Sequence, residues 1–391
     1  MILTGCDRLL EQPERLTGRR YGLLAHGASV TADRRPLHLA LSASPAGPPA
    51  ALFGPEHGFY GVEQDMIPST DARDPWTGAP IVSLYGDRPE TLRPQPRAMA
   101  GLEVLVIDLQ DVGSRYYTYA ATAVWAAAAA IAAGAEVWLL DRPNPLGGDV
   151  VEGNLRRDGY GSFVGAFPIP VRHGLTLGEL ARLELRREGV DDSALTVWEM
   201  RGWRRRMRWR DTGLGWIAPS PNIPTPETAA VYPGGCLIEG TELSEGRGTT
   251  RPFELVGAPG IDPPALAEAL ADRRIPGVRF LPTYFRPQFQ KQGGELCGGV
   301  QVLVTDEAAF PAVRCGVELL ATVRERFPEV FGWRRDPYEF VSDRPAIDLL
   351  AGGPELRRAL DTGSGLSSWL ATWSADEELF REQCRDVLIY S

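Results

Sequence analysis

VLVIDLQD (104–111), YTYAATAVWAAAAAIAA (117–133) and VWLLDRPN (137–144) decide the fold. The first and third segments are short, continuous apolar runs closed by polar residues. The alanine-rich stretch between them favours helix and stops at Gly134, a residue type suited to the left-handed turn past a helix end. Uninterrupted apolar strands are buried on both faces, as in a parallel sheet, and parallel neighbours need a crossover of this length. The three segments therefore predict a β-α-β unit. Working outward, YGLLAH (21–26), AALFGPE (50–56) and IVSLYG (81–86) repeat the same apolar-then-polar pattern. The expected class is α/β, with a Rossmann-like layered parallel sheet. No G-x-G-x-x-G follows the first strand, so a nucleotide-dependent enzyme lacks its fingerprint.

Loops become more frequent after residue 150. A helix is expected over 176–189 and a strand over 195–200. GWRRRMRWR (202–210) could stack on nucleic acid, but a short isolated run in an acidic chain reads better as a surface strand with snorkelling arginines. Residues 212–252 are dense in Gly, Pro, Ser, Thr and Asn, the composition of a site-forming loop, with a helix near 226–233 and a strand near 236–239. From 253 a new alternation begins: helix 263–272, strands 278–286 and 298–305, helix 309–326, then short helices to the end. This divides the chain into a Rossmann-like N-terminal domain, 1–252, and a smaller C-terminal α/β domain, 253–391.

Composition narrows the function. With 391 residues, 43% hydrophobic and 24% charged, the chain can bury a large core. Its 41 basic and 51 acidic residues give a net charge of −10 without a basic tail, which argues against a nucleic-acid partner. Lys291 is the single lysine, and the arginine excess reads first as codon usage. Five cysteines without C-x-x-C spacing read as buried thiols, and four scattered histidines offer no metal motif. The stretch MILTGCDRLLEQPERL has no apolar core long enough for a signal peptide, so the chain as given is expected in the cytoplasm, and exported if its true start lies upstream. The longest apolar stretch, 123–140, is broken by Gly134 and Glu136 and suits a buried helix and strand better than a membrane span.

In open α/β sheets ligands bind beyond the carboxyl ends of the strands. Here those ends carry Glu56 and His57, then Asp108, Gln110 and Asp111, then Asp141, Arg142 and Asn144. Each is either a ligand group or a strand-end cap and turn former. Glu56 is the sharpest candidate. In GPEHGFYG the backbone must turn sharply, and a carboxyl presented beside His57, Phe59 and Tyr60 could be desolvated enough to act as a general acid; the ordinary alternative is a surface glutamate in a turn. A second constellation, EGTELSEGRGTTRP (239–252), places Glu239, Glu242, Glu245, Arg247 and Arg251 among small residues. Two carboxyls across a cleft are what glycosidic cleavage requires. The segment lacks G-x-x-x-x-G-K-[ST], and no G-x-S-x-G elbow occurs in the chain.

Seven phrases occur in order: GPEHGFYG, SLYG with RPE, VLVIDLQDVGSRYYTY, LLDRPNPLGG with VEG, FVGAFPIPVRHGLTLGELA, PSPNIPTPETAAVYPG and CLIEGTELSEGRGTTRPFELVGAP. Together they resemble the exo-β-N-acetylmuramidase family NamZ, formerly a domain of unknown function. The resemblance implies an active-site cleft between the two domains. It also implies release of terminal, non-reducing N-acetylmuramic acid from peptidoglycan fragments, as in cell-wall recycling, without metal or nucleotide. The family's proposed catalytic glutamate, in its PEHG phrase, falls on Glu56. Family members are often exported with a leader, which this sequence does not display. N-acetylmuramic acid carries a lactyl carboxylate, for which an arginine fork from Arg115, Arg247 or Arg251 is the natural partner. Tyr116, Tyr117 and Tyr119 are either sugar-stacking or core residues. His57, Asp108, Gln110, Asn144, His173 and Asn222 could bond hydroxyls or the acetamido group. The second carboxylate is expected from Glu245, Glu239 or Asp108. The rival reading is a non-catalytic muropeptide- or sugar-binding protein using the same cleft, which would not need Glu56.

Overall fold

The structure is a computed structural model that describes residues 2–62, 72–84 and 92–391. The end of the IVSLYG run and the RPE phrase lie outside the described residues. Ten strands are described: β1 (Tyr21–Ala25), β2 (Ala51–Gly54), β3 (Ala72–Arg73), β4 (Pro80–Ser83), β5 (Val104–Asp108), β6 (Glu136–Leu140), β7 (Leu195–Trp198), β8 (Leu255–Ala258), β9 (Val278–Phe285) and β10 (Cys297–Val304). The first seven form one sheet in the order β3-β4-β2-β1-β5-β6-β7. Only β3 is antiparallel, to β4. Without that hairpin strand, the six parallel strands follow the Rossmann order 3-2-1-4-5-6. The central β1 and β5 are buried at every position, in the register Leu23↔Val106 and Ala25↔Asp108.

The expected β-α-β unit is present. The helix Tyr119–Ala132 carries the chain from β5 to β6, and its alanines allow a close seat on the sheet. It ends as its sequence requires, with Gly134 at φ +85°. The helix Leu177–Arg187 packs beside it, started by a reciprocal capping box between Thr176 and Glu179.

The smaller sheet is antiparallel, β8-β10-β9, and is backed by the helices Pro263–Asp272 and Ala312–Arg326. The helix Pro226–Gly235 crosses Ala312–Arg326 where two glycines meet: a Cβ on Gly316 would lie 2.2 Å from the Gly234 carbonyl oxygen. One continuous buried cluster runs from Leu24 in β1 to Val387 near the C-terminus, joining the two sheets. Polar clasps reinforce that junction. Arg115 donates to Leu350 O (2.9 Å), Asn154 to Ala351 O (2.8 Å), and the Arg314 amide to Glu152 (2.8 Å).

Three sequence expectations are corrected. Residues 236–239 lie in a 3-10 helix, Cys236–Gly240, where a strand was expected. The chain closes on a 19-residue helix, Leu366–Cys384, in addition to the short ones. GWRRRMRWR forms a loop and the one-turn helix Trp209–Thr212, not a surface strand. Two of its arginines turn inward to meet acids, Arg205 with the buried Glu179 at 2.7 Å and Arg208 with Asp149 at 2.6 Å, while Trp203 and Trp209 are buried. All five cysteines are buried and free. Among the described residues no helix is long and apolar enough to cross a membrane.

Candidate active site

A cleft of about 560 Å³ opens beyond the carboxyl end of β2, within the usual range for small-molecule sites. Its first wall is the bend that follows β2. At Gly54 the chain folds back on itself so tightly that a Cβ would lie 2.4 Å from the Phe59 amide nitrogen. The Gly58 amide donates to Pro55 O (3.0 Å), and His57 and Gly58 both take left-handed backbone angles. Phe59 is buried and anchors the bend edge-on against His38. Glu56 rides on this anchored turn. Thr118 Oγ1 donates to Glu56 Oε2 (2.5 Å), and Tyr119 Oη lies 3.2 Å from Glu56 O. The half-buried carboxyl is thereby held in one orientation on the cleft wall.

The second wall is the loop 239–247. Glu239 Oε1 is 2.7 Å from Arg247 Nη2, and Tyr338 donates to Glu239 Oε2 at 2.7 Å. Burial alone would raise the pKa of Glu239, but Arg247, Tyr338 and Lys291 outweigh it and hold this carboxyl below its ordinary range. Glu245 is gripped by two cations, Lys291 Nζ at 2.7 Å and Arg247 Nε at 3.5 Å. Lys291 is itself fixed by the carbonyls of Ile238 and Thr241, both at 2.9 Å. Two acids and two cations thus neutralise each other in a part-buried lattice, which favours hydrogen bonding over proton transfer.

The third wall is the segment 334–341. Tyr338 and Val341 exchange backbone hydrogen bonds, each 2.9 Å, so Glu339 and Phe340 are the central pair of a two-residue turn. Both have positive φ, +50° and +65°. Such turns normally take Asn-Gly or glycine there. Glu339 is half-buried, with Oε2 enclosed and lacking a hydrogen-bond partner among the described residues. Burial first, then the charges of Glu56 and Glu239, push it up to about 8. The Arg334 guanidinium lies over the Tyr338 ring, 5.0 Å from its centre. It has no ion-pair partner among the described residues; Nη2 reaches only Pro337 O, at 3.5 Å.

Of the residues expected in the site, Glu56, His57, Tyr116, Asn222, Glu239, Glu245 and Arg247 come together on this cleft, with Tyr117 and Glu242. The others do not line it. Asp108 is fully buried and gripped by Arg142 at 2.5 and 2.7 Å, so it is a structural ion partner. The Gln110 side chain bonds the Asp111 and Pro143 carbonyls at 2.8 and 2.9 Å. Asn144 is a turn former, donating to Leu175 O and accepting from the Leu146 amide, both at 2.9 Å. His173 is buried, accepting from the Leu175 amide (3.1 Å) beside Asp111. Arg115 bonds the carbonyls of Asn154, Ile169 and Leu350. Arg251 is exposed and pairs with Glu254 at 3.1 Å. Sequence reasoning missed Thr118, Lys291, Arg334, Tyr338 and Glu339. Of these only Lys291 carried a mark, as the single lysine.

A Rossmann-ordered sheet that ends in an acid-rich, sugar-sized cleft, with one carboxyl fixed on a rigid bend, defines a glycoside hydrolase more readily than a dinucleotide enzyme. The family description Exo-beta-N-acetylmuramidase NamZ matches along nearly the whole chain, its N-terminal part over residues 21–227 and its C-terminal part over 230–390. The chain belongs to that family. It is 41% identical over 390 residues to the peptidoglycan beta-N-acetylmuramidase NamZ of Bacillus subtilis (strain 168), covering 100% of this chain and 91% of that protein. The crystal structure of a DUF1343 family protein from Bacteroides fragilis NCTC 9343 matches with a TM-score of 0.87 at 33% identity, over 100% of this chain and 99% of that one. A second DUF1343 protein of the same strain matches with a TM-score of 0.76 at 27% identity and the same coverage.

Proposed function

We propose that this chain is an exo-β-N-acetylmuramidase that removes N-acetylmuramic acid from the non-reducing end of peptidoglycan fragments, with Glu56 at the centre of its acid–base chemistry. The observation that carries the reading is the immobilised Glu56 carboxyl on the wall of a polar cleft, braced by Thr118 on an anchored turn. Fixed carboxyl geometry is what proton transfer to or from a glycosidic oxygen demands, because a mispositioned group loses its advantage over water. In this reading residues 1–252 carry the acid-bearing bend and the 239–247 loop, residues 253–391 carry the opposing turn, and the terminal sugar sits between them.

The Glu239–Arg247–Glu245–Lys291 lattice serves as a preorganised polar wall for sugar hydroxyls, while Tyr232 and Phe253 offer ring faces. The lactyl carboxylate needs a guanidinium whose charge is not already matched. Arg115, Arg247 and Arg251 are engaged elsewhere, and Arg334 takes that role.

The test is release of N-acetylmuramic acid from a muramoyl disaccharide by wild type and Glu56→Gln. Turnover by wild type and a loss of about 10²–10⁴-fold in the variant are expected. Equal turnover removes Glu56 from the chemistry. Tight saccharide binding with no turnover on any muramoyl substrate is the result a non-catalytic binder gives.

A further inference from the structure

We propose that Glu339 is the proton donor of the cleavage and that Glu56 is the carboxylate working opposite it, an assignment that rests on the muramidase reading of the cleft. Both line the same hollow, one from the bend after β2 and the other from the turn 338–341. Nothing in the local sequence favours that turn. Two residues with side chains occupy backbone angles that glycine or asparagine would take at less cost, and the surrounding fold imposes them. Backbone strain of this kind concentrates where a side chain must be aimed. Here it brings the Glu339 carboxyl to the cleft with Oε2 enclosed and bonded to no group among the described residues.

The remaining acids are less suited to the donor's role. Glu239 and Glu245 are bound by Arg247 and Lys291 and serve as fixed anions. Glu56 already has one carboxyl oxygen taken up by the Thr118 hydroxyl. The charged groups that act on Glu339 are Glu56 from the bend, Glu239 and Arg247 from the loop 239–247, and Arg334 on its own segment. Glu242, Glu245, Lys291, Asp336 and His57, with Tyr116, Tyr117, Tyr232 and Tyr338, complete the charged and titratable lining. Burial and the two like charges favour the protonated acid, so Glu339 holds its proton at neutral pH. In the step itself the bond between the muramic C1 and the leaving oxygen breaks, and the Glu339 proton goes to that oxygen. Water supplies hydroxyl to C1, its proton is taken up by Glu56, and the pair returns to its starting charge through solvent.

The experiment compares a muramoyl disaccharide with a 4-nitrophenyl β-muramoyl glycoside, whose leaving group departs without protonation. For wild type, kcat/KM on the disaccharide is expected to fall as pH rises through about 8, where the free enzyme loses the Glu339 proton, and that limb is expected to vanish on the aryl glycoside. Glu339→Gln is expected to lose about 10²–10⁴-fold on the disaccharide and less than about tenfold on the aryl glycoside, with an unchanged melting temperature. A Glu339→Gln enzyme that keeps both the wild-type rate and the alkaline limb on the disaccharide overturns the assignment and leaves the muramidase reading standing. Wild type inert on both substrates overturns that reading itself. The wild-type pH profiles decide the matter without a variant: an alkaline limb of equal size on both substrates removes Glu339 as donor.

Discussion

Two crevices lie along the carboxyl edge of the main sheet, and only one of them is open. The first is the switch point between β1 and β5, where Rossmann folds receive their ligands. Here it is filled by its own polar groups. Ser29 donates to Asp108 O, the Gln110 amide to His26 Nε2, and Arg142 grips both the Asp108 carboxyl and Val30 O. The remaining cavity is about 20 Å³, room for little more than a water molecule. The second crevice, beyond β2, measures about 560 Å³ and keeps on its walls the Glu339 carboxyl, with Oε2 unbonded, and the Arg334 guanidinium, without an ion-pair partner, among the described residues. Similar residue types stand at both places. The difference is whether each polar group meets a complementary one from the same chain.

That contrast can be broken most sharply at Glu56. Its replacement by glutamine is expected to lower turnover by about 10²–10⁴-fold while leaving the melting temperature nearly unchanged, read by product release and thermal denaturation in parallel. At the filled crevice the pattern should invert. Asp108→Ala leaves Arg142 buried and unpaired, so a stability loss of about 3–5 kcal/mol is expected in denaturant titration, whereas the pair Asp108→Leu with Arg142→Met should recover much of it. Recovery of stability with turnover intact would confine the filled crevice to architecture.

Arg334→Ala should raise KM for a muramoyl glycoside by about 10–100-fold, and raise Ki far less for the matching N-acetylglucosaminyl inhibitor, which lacks the lactyl group; equal losses would send the lactyl carboxylate elsewhere. The smallest effect concerns Glu152, outside both crevices. Burial raises its carboxyl to about 7, so between the unfolded value near 4.5 and about 7 the folded chain holds the extra proton. Its contribution therefore makes stability fall as pH rises through that window, by up to about 1.4 kcal/mol per unit, and Glu152→Gln should flatten the slope.

Most of the scaffold was legible because it rests on local pattern. Continuous apolar runs marked β1, β2, β5 and β6, and the alanine run with Gly134 marked the crossover. Half of the candidate site was legible for a similar reason, since PEHG and EGTELSEGR each gather several polar groups within a few residues. The rest depends on partners far away in sequence. Asp108 and Arg115 look like ligand groups until Arg142 and Leu350 come to meet them. Glu339 and Arg334 look ordinary until the fold places a carboxyl oxygen of one and the guanidinium of the other on the cleft without a side-chain partner among the described residues, and the turn that aims Glu339 has none of the residues by which such turns are recognised.

Lys291 is the one lysine in 391 residues, and it stands in the cleft with its amine 2.7 Å from Glu245. Reductive ¹³C-methylation of this protein would therefore label a single side-chain nitrogen. A lone resonance, apart from that of the chain's amino terminus, would report occupancy of the hollow in real time without any engineered probe.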